Sequence, residues 1–469
     1  MELDPIFLSR LQFAFVVSFH AIFPVFTIGL AAWIALLEIL NFRSPDPVRE
    51  KLSQFWIKVF ALVFGMGVVS GIVMAFQFGT NWSNFSYAAS NFLGPVLSYE
   101  VVTAFFLEAT FLGVLLFGRE KVPRGVHLLA ACMVAIGTFI SSFWILSANS
   151  WFHTPAGVEL VDGHFQVLSW TQAIFNPSLP YRFAHMALAS FITGGLVVAG
   201  VSAWYLLKGR NPRSSRMALK MTVVMLAIAT PLQLFVGDLH GLNTFEHQPI
   251  KVAAMEGHWE TKRGAPIVLF GLPDGEAEKN HFELAIPYLG SLILTHSLDG
   301  EVQGLKSVPA EDRPPVAVVF WSFRIMVALG LLFIALSWAG LIQQLRGKLF
   351  DSPRLLRAMV WAAPLPFVAV LAGWFVTEIG RQPWIVYGMM RLSEAVTPSL
   401  TGWMTLATLI GYVSVYAVVF GAGVFYLRRV IMHGPDPIEP GKGAGSARPK
   451  RPLSAVNVDF DDQPQPARS

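Results

Sequence analysis

The sequence predicts an all-α, polytopic membrane protein, a bundle of about nine transmembrane helices. The first reason is composition. Of 469 residues, 54% are hydrophobic and 14% are charged, and the mean hydropathy is +0.54, which is high for a soluble protein of this size. The second reason is that nine apolar runs reach the roughly 20 residues that a helix needs to cross a bilayer. They cover approximately 11–40, 55–78, 92–118, 126–147, 182–207, 217–238, 317–343, 355–377 and 400–427.

Cysteine usage limits the chemistry that the chain can support. The single cysteine, Cys132, lies inside an apolar run, which excludes a disulfide framework, a thiolate metal cluster and covalent haem (heme) attachment. Any metal or haem must therefore be held by His, Met or carboxylate. The first apolar run is too long for a signal peptide and lacks a cleavage motif, so we interpret it as a retained helix.

The basic residues predict the orientation in the membrane. Some short loops are rich in Lys and Arg and others have none: 41–54, 118–125, 208–220 and 344–357 carry 3, 3, 5 and 4, whereas 79–91 and 148–181 carry none. Because basic short loops stay inside, we expect the N-terminus outside and the C-terminus inside.

Four segments are expected. Residues 1–238 hold transmembrane helices 1–6, 239–316 form an extracytoplasmic loop, 317–430 hold helices 7–9, and 431–469 form a disordered cytoplasmic tail rich in Pro, Gly and charge. A loop as long as 239–316 is usually functional or disordered. Its first part, to about residue 261, mixes apolar and charged positions, which suits a helix lying on a surface.

The stretch that ends the eighth apolar run is the most informative. It contains Gly373, Trp374, Glu378, Arg381 and Trp384. Glu378 precedes Arg381 by three residues, so the two can meet on one helix face. An ionisable residue at the membrane edge is a functional candidate. The alternative is an interfacial salt bridge beside a tryptophan belt.

Three histidines fall in or at the ends of the apolar runs, and we set His127 aside as an interfacial residue. Counting along the helices places His20 in the outer half of the membrane and His185 at its outer boundary. Met326 has a similar depth. A Met in an apolar helix is usually core packing, but Arg324 nearby needs an anion, and haem propionates are a fitting one. His plus Met is a familiar axial pair for low-spin haem.

Acidic residues inside the apolar runs suggest a path for protons. Glu100 and Glu108 share a predicted helix and lie two turns, about 12 Å, apart along its axis. They are interpreted as a proton ladder, and the alternative is that neighbouring helices satisfy each carboxylate. Glu38, Lys58 and Glu120 lie near inner helix ends, where snorkelling explains them. Lys58 and Glu120 are also candidates for the inner mouth of the path.

Taken together, these stretches closely resemble subunit I of the cytochrome bd ubiquinol oxidases, including the cyanide-insensitive branch. The resemblance extends to about residue 430. Its most specific parts are Gly373-Trp374 with the run from Glu378 to Trp384, the run from Phe323 to Met326, and Gln248-Pro249 with Lys251, Ala253, Ala254 and Glu256.

The resemblance implies a respiratory terminal oxidase of the bacterial inner membrane. Such an enzyme oxidises quinol, reduces dioxygen to water and contributes to the proton gradient. It implies a low-spin haem b held by His185 and Met326. It also implies two high-spin haems, a haem b and a haem d or a further haem b in its place, one held by His20 and the other by Glu378.

Further residues gain roles by the same resemblance. Lys251 and Glu256 match the quinol-binding loop of the family, the Q-loop. Arg324, Arg381 and Trp374 stand close in sequence to the implied ligands and are expected to bind cofactor. The implied partners are subunit II, a small single-helix subunit, ubiquinol or menaquinol, dioxygen and membrane lipid, and no nucleic acid is expected.

Two other functions compete. One is a b-type haem membrane anchor that passes electrons between quinone and another protein. Such anchors usually show paired histidines on two helices, whereas this chain has a His plus Met pair and two single ligands left over. The other is a transporter, which the lack of a visible internal repeat argues against.

Overall fold

The computed structural model describes residues 3–435. Among these residues, nine helical segments are long and apolar enough to cross a membrane, which confirms the predicted number and the all-α membrane class. The predicted disordered tail lies outside the described residues from 436 onward. Its first three residues, 431–433, belong to the last helix, so that helix ends beyond the predicted boundary at 430.

The first part of the chain contains six of the membrane-spanning segments and one hairpin. Its elements are α1 Pro5–Arg43, α2 Pro47–Thr80, α3 Ser83–Ala88, α4 Ser90–Glu100, a π-helical segment Val101–Phe105, α5 Phe106–Phe117, α6 Arg124–His153, β1 Val158–Val161, β2 His164–Val167, α7 Trp170–Ile174, α8 Leu179–Leu207 and α9 Pro212–His247. The strands β1 and β2 pair antiparallel.

The second part contains the predicted loop and three further membrane segments. Its elements are α10 Pro249–Glu256, β3 Lys262–Arg263, β4 Ile267–Asp274, β5 Lys279–Ile286, α11 Leu289–Thr295, β6 Glu301–Val302, α12 Val316–Leu345, α13 Pro353–Ala362, α14 Leu365–Ile379, β7 Trp384–Val386, β8 Met390–Arg391, α15 Leu392–Ala395 and α16 Gly402–His433. The pairs β3 with β6, β4 with β5 and β7 with β8 are antiparallel.

Helix starts follow local sequence. Asp4 and Asp46 each accept a hydrogen bond at 2.8 Å from the backbone N–H two residues later, and a proline occupies the first helical position after each, as expected of capped helix N-termini. Thr401 caps α16 by accepting a hydrogen bond at 3.3 Å from the backbone N–H of Met404. The eighth membrane segment is divided into α13 and α14 at Pro364, which cannot continue the hydrogen-bond ladder.

The predicted loop begins later than expected. Helix α9 continues to His247, so the first nine residues of 239–316 extend a membrane-spanning helix. Helix α10 follows at once, and residues Ile250 to Glu256 are all buried. The expectation of a helix lying on a surface was therefore wrong. Gly257 ends α10 with φ +73°, a left-handed conformation that glycine adopts without strain.

Close packing of α1 against α8 positions two predicted ligands. A Cβ on Gly29 would lie 2.0 Å from the carbonyl oxygen of Ser190, and one on Gly194 would lie 2.9 Å from Gly29. Only small residues allow two membrane helices to approach so closely. The helix that carries His20 is thereby held against the helix that carries His185.

Candidate functional site

Glu378 lies near the end of α14 at the centre of a polar cluster. Nη2 of Arg381 donates to Oε2 of Glu378 at 2.7 Å, which confirms the pairing predicted from their spacing. Asn149 on α6 donates from Nδ2 to Oε1 of Glu378 at 2.8 Å, and Nε2 of His153 lies 3.4 Å from the same oxygen. The carboxylate is therefore held by α6 and by the chain that follows α14.

Three basic side chains are buried around this carboxylate. Lys251, Arg182 and Arg381 are 3%, 5% and 7% exposed. Nζ of Lys251 lies 2.9 Å from Nδ1 of His153, and Nη1 of Arg182 donates to Oδ1 of Asn149 at 3.3 Å. Residues from α6, α8, α10 and the end of α14 thus meet at one place.

The charges in this cluster do not balance. Burial, and after it the guanidiniums of Arg182 and Arg381, holds the pKa of the Lys251 amine well below its usual value, and Glu378 opposes that shift. Two buried guanidiniums then face one carboxylate. Because uncompensated buried charge costs several kcal/mol, the cluster suits a ligand that brings further anionic groups.

His185 lies on α8 and faces α9. Its Nε2 is 3.1 Å from the side-chain amide nitrogen of Gln233, and its Nδ1 is buried without a hydrogen-bond partner among the described residues. One turn after Gln233, a Cβ on Gly237 would lie 3.3 Å from the His185 ring. The ring of His240 is also close, with 5.6 Å between the two ring centroids.

Met326 lies on α12 and faces α14. A Cβ on Gly373 would come within 3.0 Å of its sulfur. The next residue, Trp374, has a buried indole N–H that finds no acceptor within residues 3–435. Gly373 therefore makes room for the thioether itself, and Trp374 adds an unused donor on the same helix.

His20 has a comparable environment between α1 and α2. Its Nδ1 lies 2.9 Å from the hydroxyl of Ser70. A Cβ on the adjacent Gly71 would approach the imidazole to 3.1 Å. The histidine is thus oriented by one hydrogen bond and faces a position without a side chain.

His20, His185 and Met326 share features that fit haem. Each lies beside a glycine of a neighbouring helix, and each is only partly buried although it belongs to a helical bundle. Haem iron takes one or two axial ligands from the protein, and His and Met are the usual ones. The donor atoms therefore match haem ligation at all three positions, and the glycines let the neighbouring helices approach the three side chains closely.

Arg324 is fixed by protein groups. Its guanidinium donates to the carbonyl oxygens of Met255 and Val268 and lies 3.4 Å from Oε2 of Glu256. It also stacks on the ring of Phe320, 3.5 Å from the centroid. We expected from the sequence that Arg324 needs an anionic partner. In the structure that partner is Glu256 of the same chain.

Helix α10 reaches both regions through its two predicted quinol residues. Lys251 near its beginning contacts the cluster around Glu378, and Glu256 at its end pairs with Arg324. The short helix is packed on α12 and on the end of α14, where a Cβ on Gly380 would lie 2.9 Å from Cγ of Lys251. Its residues connect the surroundings of Glu378 with those of Met326.

Glu100 and Glu108 are separated by the π-helical segment, which the sequence did not predict. A π turn holds an extra residue, so the eight-residue separation of the two carboxylates spans about two full turns, and both can face α6. Oε1 of Glu100 accepts a hydrogen bond from Ser141 at 2.7 Å. Glu108 is buried against Gly137, and its Oε1 has no partner among the described residues.

Glu38 and His127 do not behave as solvated interfacial residues. They are 5% and 3% exposed, and Nδ1 of His127 lies 3.3 Å from Oε2 of Glu38. The other carboxylate oxygen accepts hydrogen bonds from Arg119 and Ser53. The expectation that Glu38 snorkels was wrong, because partners from three other elements allow the carboxylate to be buried. Glu120 is exposed, as expected.

The sequence analysis missed several members of the site. His153 and His240 lie within long helices that continue past the ends of the apolar runs, so the count of three membrane histidines was too low. Asn149 and His153 are four residues apart on α6, and this i, i+4 spacing of polar side chains was the available signal. Arg182 gave none beyond its place near a helix start.

The chain is similar to known proteins along most of its length. Residues 8–435 match the family model described as "Cytochrome bd terminal oxidase subunit I". The chain is 36% identical to the "Cytochrome bd ubiquinol oxidase subunit 1" of Bacillus subtilis (strain 168), with 92% of this chain and 94% of that protein covered. It is 33% identical to the "Cytochrome bd-II ubiquinol oxidase subunit 1" of Escherichia coli (strain K12), with 93% and 98% covered.

A solved structure shows the same architecture. The bd oxidase from Geobacillus thermodenitrificans superimposes with a TM-score of 0.85 at 31% identity, covering 92% of this chain and 100% of that one. The match extends over all nine membrane segments of the described residues, since the family model begins in the first helix and ends after the last. The chain therefore belongs to the cytochrome bd terminal oxidase subunit I family.

Proposed function

We propose that this chain is the haem-bearing subunit of an oxidase that takes electrons from quinol and reduces dioxygen to water. The observation that carries the proposal is the position of α10. Its Lys251 enters the cluster around Glu378, and its Glu256 pairs with Arg324, two residues from Met326. A quinol bound against this helix lies near two of the proposed haem ligands.

His185 and Met326 hold the low-spin haem b in this proposal. Their helices, α8 and α12, both pack against α9, and each ligand side chain lies against a glycine of a neighbouring helix. A thioether ligand raises the reduction potential of the iron. That property suits a haem that accepts electrons from quinol.

His20 and Glu378 each hold one high-spin haem, of which one is a haem b and the other is a haem d or a further haem b. A haem held at either position would supply the binding and reduction of dioxygen. Arg381 and Arg182 bind and orient carboxylate groups of a cofactor, because two guanidiniums face only one carboxylate of the protein. The free indole N–H of Trp374 is a further donor.

Lys251 and Glu256 bind the quinol, either ubiquinol or menaquinol. Oxidation of a quinol releases two protons, and a carboxylate within hydrogen-bond reach is a suitable acceptor. Arg324 holds Glu256 in place. Burial favours the neutral amine of Lys251, which can accept a hydrogen bond from a quinol hydroxyl.

Glu108 and Glu100 carry protons through the apolar interior toward the haems. The protons for water enter from the inside, with Lys58 and Glu120 at the mouth, and the N-terminus lies outside. Room beside Glu108 is provided by Gly137, and Ser141 holds Glu100 one turn further along α6. Quinol protons released outside and water protons taken up inside together contribute to the proton gradient.

The chain works in the bacterial inner membrane with a second large subunit, subunit II, and a small single-helix subunit. Support comes from α16, because only 11% of an apolar 18-residue stretch of this helix is buried within the chain. A helix so exposed on a multi-pass protein faces lipid or another membrane subunit.

The proposal is tested by separating quinol oxidation from oxygen reduction. Glu256→Gln keeps a hydrogen-bond acceptor but removes the proton-accepting charge. We expect quinol-driven oxygen consumption to fall at least tenfold, while oxygen consumption with an artificial electron donor changes little. Glu260→Gln is the matched control, since Glu260 is exposed and its carboxylate pairs with Lys306. An equal loss of both activities in the Glu256 variant would refute the assignment.

A further inference from the structure

The β4–β5 hairpin, for which the sequence indicated no role, has an apolar outward face. Six large side chains of its two strands are between 43% and 82% exposed. They are Leu269, Phe270, Leu272, Phe282, Leu284 and Ile286. An antiparallel hairpin that faces water on one side normally carries polar residues there. We refer to these six residues as the outward face.

The opposite side of the hairpin is already occupied by the protein. Val268 is 2% exposed, and its carbonyl oxygen accepts a hydrogen bond from Arg324 on α12. Asn280 accepts a hydrogen bond at 3.0 Å from the indole of Trp259 and donates one at 2.9 Å to the carbonyl of Gly257. The hairpin is thus fixed in orientation, and the exposure of its outward face does not result from a loose segment.

Phe282 is unusual in its backbone as well as in its exposure. Its φ is +53°, in the left-handed region that bulky residues rarely adopt. Such conformations cost of order 1–3 kcal/mol and persist where the surroundings or a function require them. An aromatic ring that is 82% exposed and held in this way is displayed outward.

The hairpin packs beside the first turns of a helix that is longer than the bilayer core. Helix α12 has 30 residues and is about 45 Å long, whereas the hydrocarbon core is about 30 Å thick, so about 15 Å of the helix lies outside the core. Trp321 lies five residues into α12, about 7 Å along the axis. Phe270 contacts this tryptophan, with 5.3 Å between ring centroids. The strands therefore flank the first turns of the helix.

The outward face continues a surface that contacts lipid. On α12, Val318 and Ile325 are each 43% exposed, as expected for the lipid side of a membrane helix. After β5, Leu292 and Ile293 on α11 are also exposed. Most charged groups of the hairpin lie instead at its turn, where Asp274 pairs with His281, and the carboxylate of Glu283 on β5 accepts a hydrogen bond at 2.8 Å from the side-chain amide of Asn280. Apolar side chains at the boundary with charges toward water are typical of interfacial membrane contact.

We propose that the outward face of the β4–β5 hairpin inserts into the headgroup region of the bilayer and anchors the loop to the membrane. Arg324 binds the carbonyl oxygens of both Val268 in the hairpin and Met255 in α10. The bilayer contact therefore also fixes α10 relative to the membrane surface. The proposal requires only that the chain spans a membrane, and it stands whether or not α10 binds quinol.

The test is the accessibility of spin labels in the assembled complex reconstituted in lipid nanodiscs. The single cysteine is removed as Cys132→Ser, and nitroxides are attached in separate proteins at Phe282→Cys, Leu284→Cys and Glu276→Cys. Glu276 is exposed at the turn and is the matched aqueous control. Collision rates are measured with dioxygen, which partitions into lipid, and with a water-soluble nickel chelate. Oxidase turnover of each labelled complex shows that it is folded.

Labels at 282 and 284 are expected to collide readily with dioxygen and several-fold less with the nickel chelate than the label at 276. Two results would overturn the proposal. If the nickel chelate reaches 282 and 284 as freely as 276, the face is in water. If both reagents are excluded from 282 and 284, a protein covers it, either a partner subunit or a second copy of the chain.

Discussion

The Nζ atom of Lys251 lies 2.9 Å from Nδ1 of His153. If the amine donates to Nδ1, the ring proton is on Nε2, which lies 3.4 Å from Oε1 of Glu378 and 3.3 Å from Nη1 of Arg381. One imidazole therefore connects the proposed quinol residue with a proposed haem ligand. The ring is fully buried, at 0% exposure, so its position is determined by the protein alone.

This contact predicts a quinol-specific defect when His153 is changed. His153→Leu removes the acceptor for Lys251, and loss of one buried hydrogen bond is worth about 1.4 kcal/mol, or about tenfold in affinity. We expect the KM for quinol to rise about tenfold while haem content and oxygen reduction by an artificial donor are retained. His153→Gln, whose amide oxygen can still accept, should show a smaller change. Unchanged quinol kinetics in the leucine variant would remove His153 from the site.

The low-spin haem assignment predicts matched effects at Met326 and Gly373. Met326→Leu keeps the volume and removes the sulfur, so it should convert the low-spin haem to a high-spin form with a lower potential. Gly373→Ala places a methyl group 3.0 Å from that sulfur and should shift the same spectrum. Gly330→Ala on α12 is the control, because no atom lies within 4 Å of its added Cβ. A low-spin spectrum that survives Met326→Leu would contradict the assignment.

Glu378 is expected to be needed for one high-spin haem. Glu378→Ala removes the proposed ligand and also leaves the guanidiniums of Arg381 and Arg182 without their carboxylate. Pyridine haemochrome analysis should show one high-spin haem lost while the low-spin haem remains. Glu394→Ala is the control, since Glu394 is an exposed carboxylate that caps a short helix elsewhere. If the Glu378 variant retains its full haem content, Glu378 is not a haem ligand, and its pair with Arg381 is an interfacial salt bridge.

If Glu108 carries protons, restricting its side chain should slow oxygen reduction as replacing the carboxylate does. Glu108→Gln should slow oxygen reduction and its proton-linked electron transfer while haem binding survives. Gly137→Ala would place a methyl group 2.6 Å from Cγ of Glu108 and should slow the same step, whereas Gly113→Ala on α5 has open space and should not. Flow-flash kinetics with a pH indicator measures both electron transfer and proton uptake. If the Glu108 variant takes up protons at the normal rate, Glu108 does not carry protons and is a polar residue packed between helices.

Local patterns in the sequence predicted the parts of the molecule that depend on local chemistry. The nine membrane segments follow from runs of apolar residues, and the Glu378–Arg381 pair follows from a spacing of three. Both features are determined within one turn or one helix. Positions of helix ends were less accurate, because α6 and α9 continue through polar residues that tertiary contacts satisfy.

What the sequence could not predict is how distant residues meet. Lys251 reaches His153 across 98 residues of chain, and Arg119 reaches Glu38 across 81. No spacing rule links such pairs, so the buried state of Glu38 and the cluster around Glu378 became visible only in the fold. The π-helical segment between Glu100 and Glu108 has no distinct local composition, since its five residues are apolar or small like those around it.

The central claim, that this chain holds haems for quinol oxidation and dioxygen reduction, is tested most directly by one optical measurement. The purified complex is reduced with dithionite, and its spectrum is recorded before and after carbon monoxide is added. We predict absorbance from a low-spin haem b that carbon monoxide leaves unchanged, together with a high-spin component that carbon monoxide shifts. Low-spin haem alone would identify an electron-transfer anchor, and the absence of haem absorbance would indicate a transporter. Either result would contradict the account.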